Sequence, residues 1–173
     1  MNDVRTPAPV EVRLTAAGSD DKPVLANLLQ LYLHDFSEFQ PLELSAHGTF
    51  DYRWLDSYFI GSDDREAYLI TAAGRTADFA LARCDVEGDE GAWNISEFFV
   101  ARRYRRRGVG REAARLLFQC HPGTWTLSYF HDNAPAARLW PGVADAESDG
   151  PVGRGEGQPP ADSTGLRFHV PAR

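Results

Sequence analysis

The chain reads as an α+β domain, a mixed, mostly antiparallel sheet of six to seven strands flanked by about four helices. Two observations carry this reading. Three short alternating segments lie in mid-chain, bounded by glycine turns, and helical periodicities stand on either side of them. With 173 residues the chain holds a single domain, 1–173, with a full core and no room for a second.

Residues 1–10 read as a flexible polar leader, without the apolar stretch of a signal peptide. Glu11-Val12-Arg13-Leu14 alternates and predicts a first strand. Ser19-Asp20 caps a helix in which Val24, Leu25, Leu28, Leu29, Tyr32, Leu33 and Phe36 recur at three- and four-residue spacing, through about Glu38. Asp51 to Phe59 is a second, short helical segment rich in aromatics. The meander follows: Glu66 to Thr71, a hairpin signal at Ala73-Gly74, Ala77 to Cys84, a polar turn from Glu87 to Gly91, then Trp93 to Ala101. In the next helix Val109, Ala113, Leu116, Leu117 and Cys120 share a face that stops at His121-Pro122-Gly123. Thr124 to Phe130 predicts another strand, and Asn133 caps a short helix from Ala134 to Trp140 that Pro141-Gly142 should end. The stretch 142–163 is rich in glycine, proline and acids and reads as loop. Gly165 to Val170 is a closing strand.

An apolar fraction of 43% and a charged fraction of 25% are those of an ordinary soluble domain. No apolar run approaches the roughly 20 residues that span a bilayer, so no membrane role is expected. Cys84 and Cys120 form no C-x-x-C pair and read as reduced, buried thiols of a cytoplasmic protein. The five histidines are scattered and no G-x-S-x-G occurs, so neither a metal site nor a serine triad is expected. Net charge is −7, unevenly spread. Seven arginines and one acid between Ala101 and Cys120 give that window +6 and leave −13 elsewhere. A basic spot on an acidic body suits one local anion and disfavours nucleic acid, which wants a broad positive face. The acidic remainder suits a cationic acceptor.

The most informative stretch runs from Ile95 to Gly110. An apolar strand enters an arginine-rich turn, Arg102-Arg103-Tyr104-Arg105-Arg106-Arg107, then Gly108-Val109-Gly110 opens a helix. Successive amides in such a turn, ending on a helix N-terminus, form a concave site for phosphate oxygens. Glycine lets a ligand approach the main chain, and flanking arginines add charge-assisted contacts. Gly108-x-Gly110-x-x-Ala113 satisfies a loose dinucleotide fingerprint, with Asp132 near the expected acidic position. A Rossmann domain is disfavoured nonetheless, because seven residues separate Val100 from Gly108 and only 63 follow Gly110. A Walker A loop is excluded, since no Gly-Lys-Ser or Gly-Lys-Thr occurs.

Arg105-x-x-Gly108-x-Gly110 after a strand ending in a β-branched residue resembles the acyl-CoA signature of the GNAT superfamily of N-acyltransferases. Asn133-x-Pro135-Ala136-x-x-Leu139-Trp140 resembles that family's second block, and the element order matches over about residues 11 to 170. The resemblance implies a GNAT-like sheet splayed between the Trp93 and Thr124 strands, where the cofactor enters. It implies that the backbone of Phe99, Val100 and Ala101 bonds the pantetheine arm of acetyl-CoA. It further implies that the turn Arg105, Arg106, Arg107, Gly108, Val109 and Gly110 holds the pyrophosphate, and that Asn133 contacts the arm. The activity implied is transfer of an acetyl group from acetyl-CoA to a primary amine of a small molecule or peptide, by direct attack in a ternary complex. A non-catalytic acyl-CoA-binding module is the alternative. Dimerisation is common in the family.

A thioester is already activated, so the protein must orient an amine and place a backbone donor at the developing oxyanion. In the resembling fold an amide at the end of the Glu97–Ala101 strand does this. An alkylammonium needs a base, and Glu97 on the cleft strand is the candidate; the alternative is a surface carboxylate or a partner for the arginines. Many relatives protonate departing CoA from a tyrosine on the second short helix, but Trp140 stands in the matching place. Tyr129 is the candidate substitute, a core tyrosine being the alternative, and His131 lies further out. Asp35, Glu38 and Glu43, with Phe36, Phe39, Tyr52 and Trp54, read either as an acidic, aromatic-lined pocket for a cation or as solvated acids beside core aromatics.

Overall fold

The computed structural model describes residues 10–61, 63–86, 88–157 and 162–173. The leader expected over the first nine residues, Glu87 of the polar turn and residues 158–161 of the expected loop lie outside that set. Among the described residues seven strands form one sheet: β1 (Val12–Ala16), β2 (Arg65–Ala72), β3 (Arg75–Arg83), β4 (Trp93–Val100), β5 (Gly123–Phe130), β6 (Gly153–Glu156) and β7 (Ser163–Val170), in the order β1-β2-β3-β4-β5-β7-β6. Only β4 and β5 pair in parallel. The α-helices among the described residues are α1 (Lys22–Phe36), α2 (Val109–Cys120) and α3 (Ala134–Glu147), one fewer than the expected four.

The sheet is covered on both faces. Under α2 and α3 lie Ile70, Ala80, Ala82, Leu117, Phe118, Trp125, Val143 and Phe168. Under α1 lie Leu25, Leu29, Ala67, Phe79, Leu81 and Phe99. Strand periodicity sorts them, since alternate residues of β3 face opposite helices. Phe118 is fully buried and meets Trp125 and Phe168 edge-on at centroid distances of 5.0 and 5.2 Å. The hairpin at Ala73-Gly74 is the two-residue kind, both residues at positive φ (50° and 72°), the twist that tight hairpins require.

Three expectations change. Asp51–Phe59 forms only a short 3-10 turn, Leu55–Tyr58, which buries Leu55 and Tyr58 against the sheet. α3 does not stop at Trp140: Pro141 leaves the Ala137 carbonyl without its helical donor, yet the helix continues to Glu147. Trp140, Val143, Ala144 and Glu147 are buried along one stripe, and that burial outweighs the lost bond. Part of 142–163 is thus helix, and Gly153–Glu156 adds β6 to the edge of β7. The cysteines are free but not buried: Cys84 is half-buried and Cys120 exposed at the end of α2.

Asp78 lies wholly inside, on the face it shares with Ala80 and Ala82. Its Oδ1 accepts the N–H of Ala101 at 2.8 Å, while Oδ2 is buried without a partner. Burial pushes this carboxyl up to about 8, against the opposing pull of the Ala101 amide and the charge of Arg105. The native state therefore holds a proton that the unfolded chain releases, and stability is lost as pH rises from the ordinary 3.8 to about 8.

Two outcomes are expected. Phe118→Ala destabilises by about 3–5 kcal/mol in urea titration, since the cavity is walled by rigid rings. Asp78→Asn keeps an acceptor for Ala101 and removes the titration. Its stability relative to the native chain rises steadily between pH 4 and 8, read from urea midpoints at each pH; a constant difference refutes the buried proton.

Candidate active site

The site is built where β4 and β5 part. Their parallel pairing holds only at Trp93 with Trp125 and Asn94 with Thr126, pinned by the Asn94 side-chain amide to Thr126 Oγ1 at 3.0 Å. Beyond that point β4 runs on to Val100 and β5 to Phe130 without pairing, and a cleft of about 510 Å³ crosses the sheet. The splay expected between the Trp93 and Thr124 strands is present.

A bulge in β4 decides what faces this cleft. Leu81 stands opposite Glu97 and Ala82 opposite Ile95, so Ser96 is the extra residue. In a regular strand Ile95 and Glu97 would share a face. With the bulge, Ile95 and Phe98 join the core under α2 and α3, while Phe99 joins the core under α1. Glu97 is turned to the same side as Phe99 and accepts hydrogen bonds from Tyr32 Oη at 2.5 Å and Tyr52 Oη at 3.1 Å. It is neither a surface carboxylate nor a partner of the arginine turn. Burial pushes its carboxyl above the usual range, outweighing the two hydroxyl donors and the charge of Arg83. The same burial, with Glu97 beside them, raises both tyrosines.

At the far end of β4 the chain passes a 3-10 turn, Arg102–Tyr104, into the arginine turn. Arg106 and Gly108 adopt left-handed conformations, φ 59° and 78°, and Gly108 precedes the first residue of α2. Helix geometry leaves the amides of Val109, Gly110 and Arg111 without intrahelical acceptors, so the turn and the helix start offer converging donors. Gly110 sits in close packing: a Cβ there would lie 3.3 Å from Val100 Cγ2, which would have to give by a few tenths of an ångström, and at ordinary contact distance, 3.6 Å, from Leu139 Cδ2. Val109 is buried beneath the turn.

The arginines divide by role. Arg105 faces inward, its Nε donating to the Val100 carbonyl at 2.6 Å and its Nη2 to Asp35 at 2.5 Å. Arg102 grips the other oxygen of Asp35 at 2.7 Å. Burial alone would raise Asp35, but the two guanidinium groups prevail and hold it below the usual range. Arg106 and Arg107 are exposed and pair with no carboxylate among the described residues.

Backbone use differs from the expectation in one respect. The N–H of Ala101 is taken by Asp78 and by the Ala77 carbonyl at 3.1 Å on the β3 side. Alternation then directs Phe99 toward β3 as well, and the open edge is offered by Phe98 and Val100. Asn133 caps α3, its Oδ1 accepting from the Ala136 amide at 3.2 Å, and it lines the cleft with Tyr129 and Trp140. Tyr129 is half-buried and Trp140 is packed edge-on against Phe98 at 5.0 Å. His131 bonds Thr164 outside the cleft.

Of the two readings of Asp35, Glu38 and Glu43, the acidic pocket does not form: Asp35 is clamped by arginines, and Glu38 and Glu43 are exposed. Phe36, Tyr52 and Trp54 do line the cleft, and Phe39 does not. Among the described residues the charged side chains lining it are Glu97, Arg65 and Arg83, so its balance is not acidic. Arg65, Arg83, Tyr32 and Asp78 are parts of the site that sequence reasoning misses, as is the bond from Tyr52 to Glu97. The one readable signal is a charge inside an apolar alternation, as in Ala77-Asp78-Phe79-Ala80-Leu81-Ala82-Arg83.

No protein-family model and no curated protein sequence matches the chain. Solved structures do. An acetyltransferase from Thermus thermophilus superposes with a TM-score of 0.70 at 13% identity, over 94% of this chain and 99% of that one. An acetyltransferase of the GNAT family from Streptococcus pneumoniae gives 0.59 at 12%, over 92% and 100%. An aminoglycoside acetyltransferase in complex with coenzyme A gives 0.65 at 13%, over 92% and 95%. The order of strands, the parting of β4 from β5 and these superpositions together establish that the chain has the GNAT fold.

Proposed function

We propose that the chain is an N-acetyltransferase that moves an acetyl group from acetyl-CoA to a primary amine within a ternary complex. The observation that carries the reading is a caged carboxylate that lines the cleft from β4, followed along the same strand by the amide-rich turn that opens α2. The neighbour bound to coenzyme A supports the choice of ligand. The residues present fit it: the backbone of Phe98 and the amide of Val100, whose carbonyl takes Arg105, offer a strand edge to an amide-bearing arm, and the turn from Arg105 to Gly110 offers donors to a diphosphate. Arg106 and Arg107 add free positive charge, and Asn133 stands across the cleft.

Acetyl-CoA would supply the activated thioester. Glu97 accepts the proton of the incoming ammonium, directly or through water, and the amine nitrogen forms the amide bond as the carbon–sulfur bond breaks. A carboxyl raised by burial suits this task, because its basicity lies nearer the operating pH. Tyr32 and Tyr52 hold its two oxygens in place. The departing thiolate takes a proton from solvent or from Tyr129, since the indole of Trp140 is no acid.

Two measurements test the reading. Gly108→Val forces a β-branched residue into a left-handed turn, strain of roughly 1–3 kcal/mol. It should weaken acetyl-CoA binding by about tenfold or more in calorimetry with the circular dichroism spectrum retained; unchanged affinity refutes the turn as the diphosphate site. Glu97→Gln lowers kcat by about 10²- to 10⁴-fold below about pH 8, and by less at higher pH where free amine accumulates, read from CoA release. A flat loss across pH removes Glu97 as the base.

A further inference from the structure

Arg65 and Arg83 stand directly opposite one another on β2 and β3. Their side chains share the sheet face of Ala67 and Leu81, under α1, and both line the cleft that holds Glu97. Like charges directly opposed across a ladder destabilise it unless an anion lies between them. Asp85 forms an ion pair with each of them, and it serves them unequally. Arg65 is well held, with Nε and Nη2 on Asp85 Oδ2 at 2.9 and 2.6 Å and Nη1 on Ser57 Oγ at 3.0 Å. Arg83 reaches Asp85 only at 3.8 Å, and its Nε is buried with no hydrogen-bond partner.

The pair therefore leaves one guanidinium largely unmatched, on the wall of the cleft, with a buried donor unsatisfied. A guanidinium presents its donors as a planar fork that suits a carboxylate better than any other small group. Further along the same face, opposite Leu81 and within reach of the Arg83 charge, stands Glu97, the one acidic side chain among the described residues lining the cleft. The lining is thus bipolar. A polyamine would meet Arg83 as a repelling charge, and a neutral amine would leave it unpaired.

We propose that Arg83 is a specificity residue that binds a carboxylate carried by the acceptor, so that the substrate is an amine bearing a carboxylate on the same molecule. The inference rests on the acetyl-transfer reading, with the amine at Glu97 and the carboxylate at Arg83. Arg65 and Asp85 act behind Arg83, Arg65 supplying like charge that favours the anion and Asp85 holding Arg65 in place. Trp54, which also lines the cleft and is half exposed, has the Arg65 guanidinium 5.8 Å from its ring centroid.

The test compares α-amino acids and ω-amino acids from β-alanine to ε-aminocaproate with their carboxamides and with alkylamines of the same length. CoA release and, separately, binding to the CoA-loaded protein by ligand-observed NMR are the two readouts. Carboxylate acceptors should exceed their carboxamides by about tenfold or more in kcat/KM, the worth of one charge-assisted contact. Arg83→Met should raise KM and weaken NMR-detected binding for the carboxylates by about tenfold relative to the carboxamides, any change in kcat through Glu97 being common to both sets, and Arg83→Lys should restore part of the carboxylate-specific loss. Turnover of carboxamides or alkylamines as fast as of acids overturns the proposal while the transferase reading stands. So does an Arg83→Met loss shared equally by both sets. Carboxylate-selective binding without any CoA release instead upholds the anion site and defeats acetyl transfer; binding without selectivity defeats the site.

Discussion

A single inserted residue organises this molecule. The bulge at Ser96 changes the parity of β4 midway along its length. Before it, Ile95 packs beneath α2 and α3; after it, Glu97 and Phe99 turn to the α1 side. A bulge also sharpens local twist, and β4 leaves β5 just after the Asn94–Thr126 pair, next to that point. The separation that makes room for a ligand and the orientation of the buried carboxylate thus share one local origin. Two tyrosines from distant parts of the chain then complete the cage.

The rest of the sheet is arranged so that this opening can persist. An unpaired strand edge is costly where it is dry, because each amide and carbonyl wants a partner. Here the cost is limited at the end of the strand, where the Val100 carbonyl takes a side-chain donor from Arg105. The edge left over is short. Helices on both faces keep the two halves of the sheet in register, with α3 contacting β5 and β7 and α1 contacting β3.

Much of the fold was legible from local pattern. The meander, the Ala73-Gly74 hairpin, the Asn133 cap and the glycine turn all depend on residues close in sequence, and each formed where expected. What escaped depends on competition or on distance. Pro141-Gly142 is a strong local stop, and only burial of Val143, Ala144 and Glu147 reverses it. The tyrosine cage joins Glu97 to residues 65 and 45 positions away, which no spacing rule connects. Asp35 reads as part of an acceptor pocket because its helix borders one; its partners lie on a turn 67 and 70 residues later. The opposed arginines are hidden for a related reason, since cross-strand register is set by the bulges and not by either strand alone.

The clamp on Asp35 has a mechanical consequence. Tyr32 stands one helical turn before Asp35 on α1, and it is the closer of the two hydroxyls on Glu97. The opposite end of that lever is fastened to Arg102 and Arg105. The arginine turn ahead of α2 and the hydroxyl nearest the Glu97 carboxylate are therefore held by a single turn of one helix.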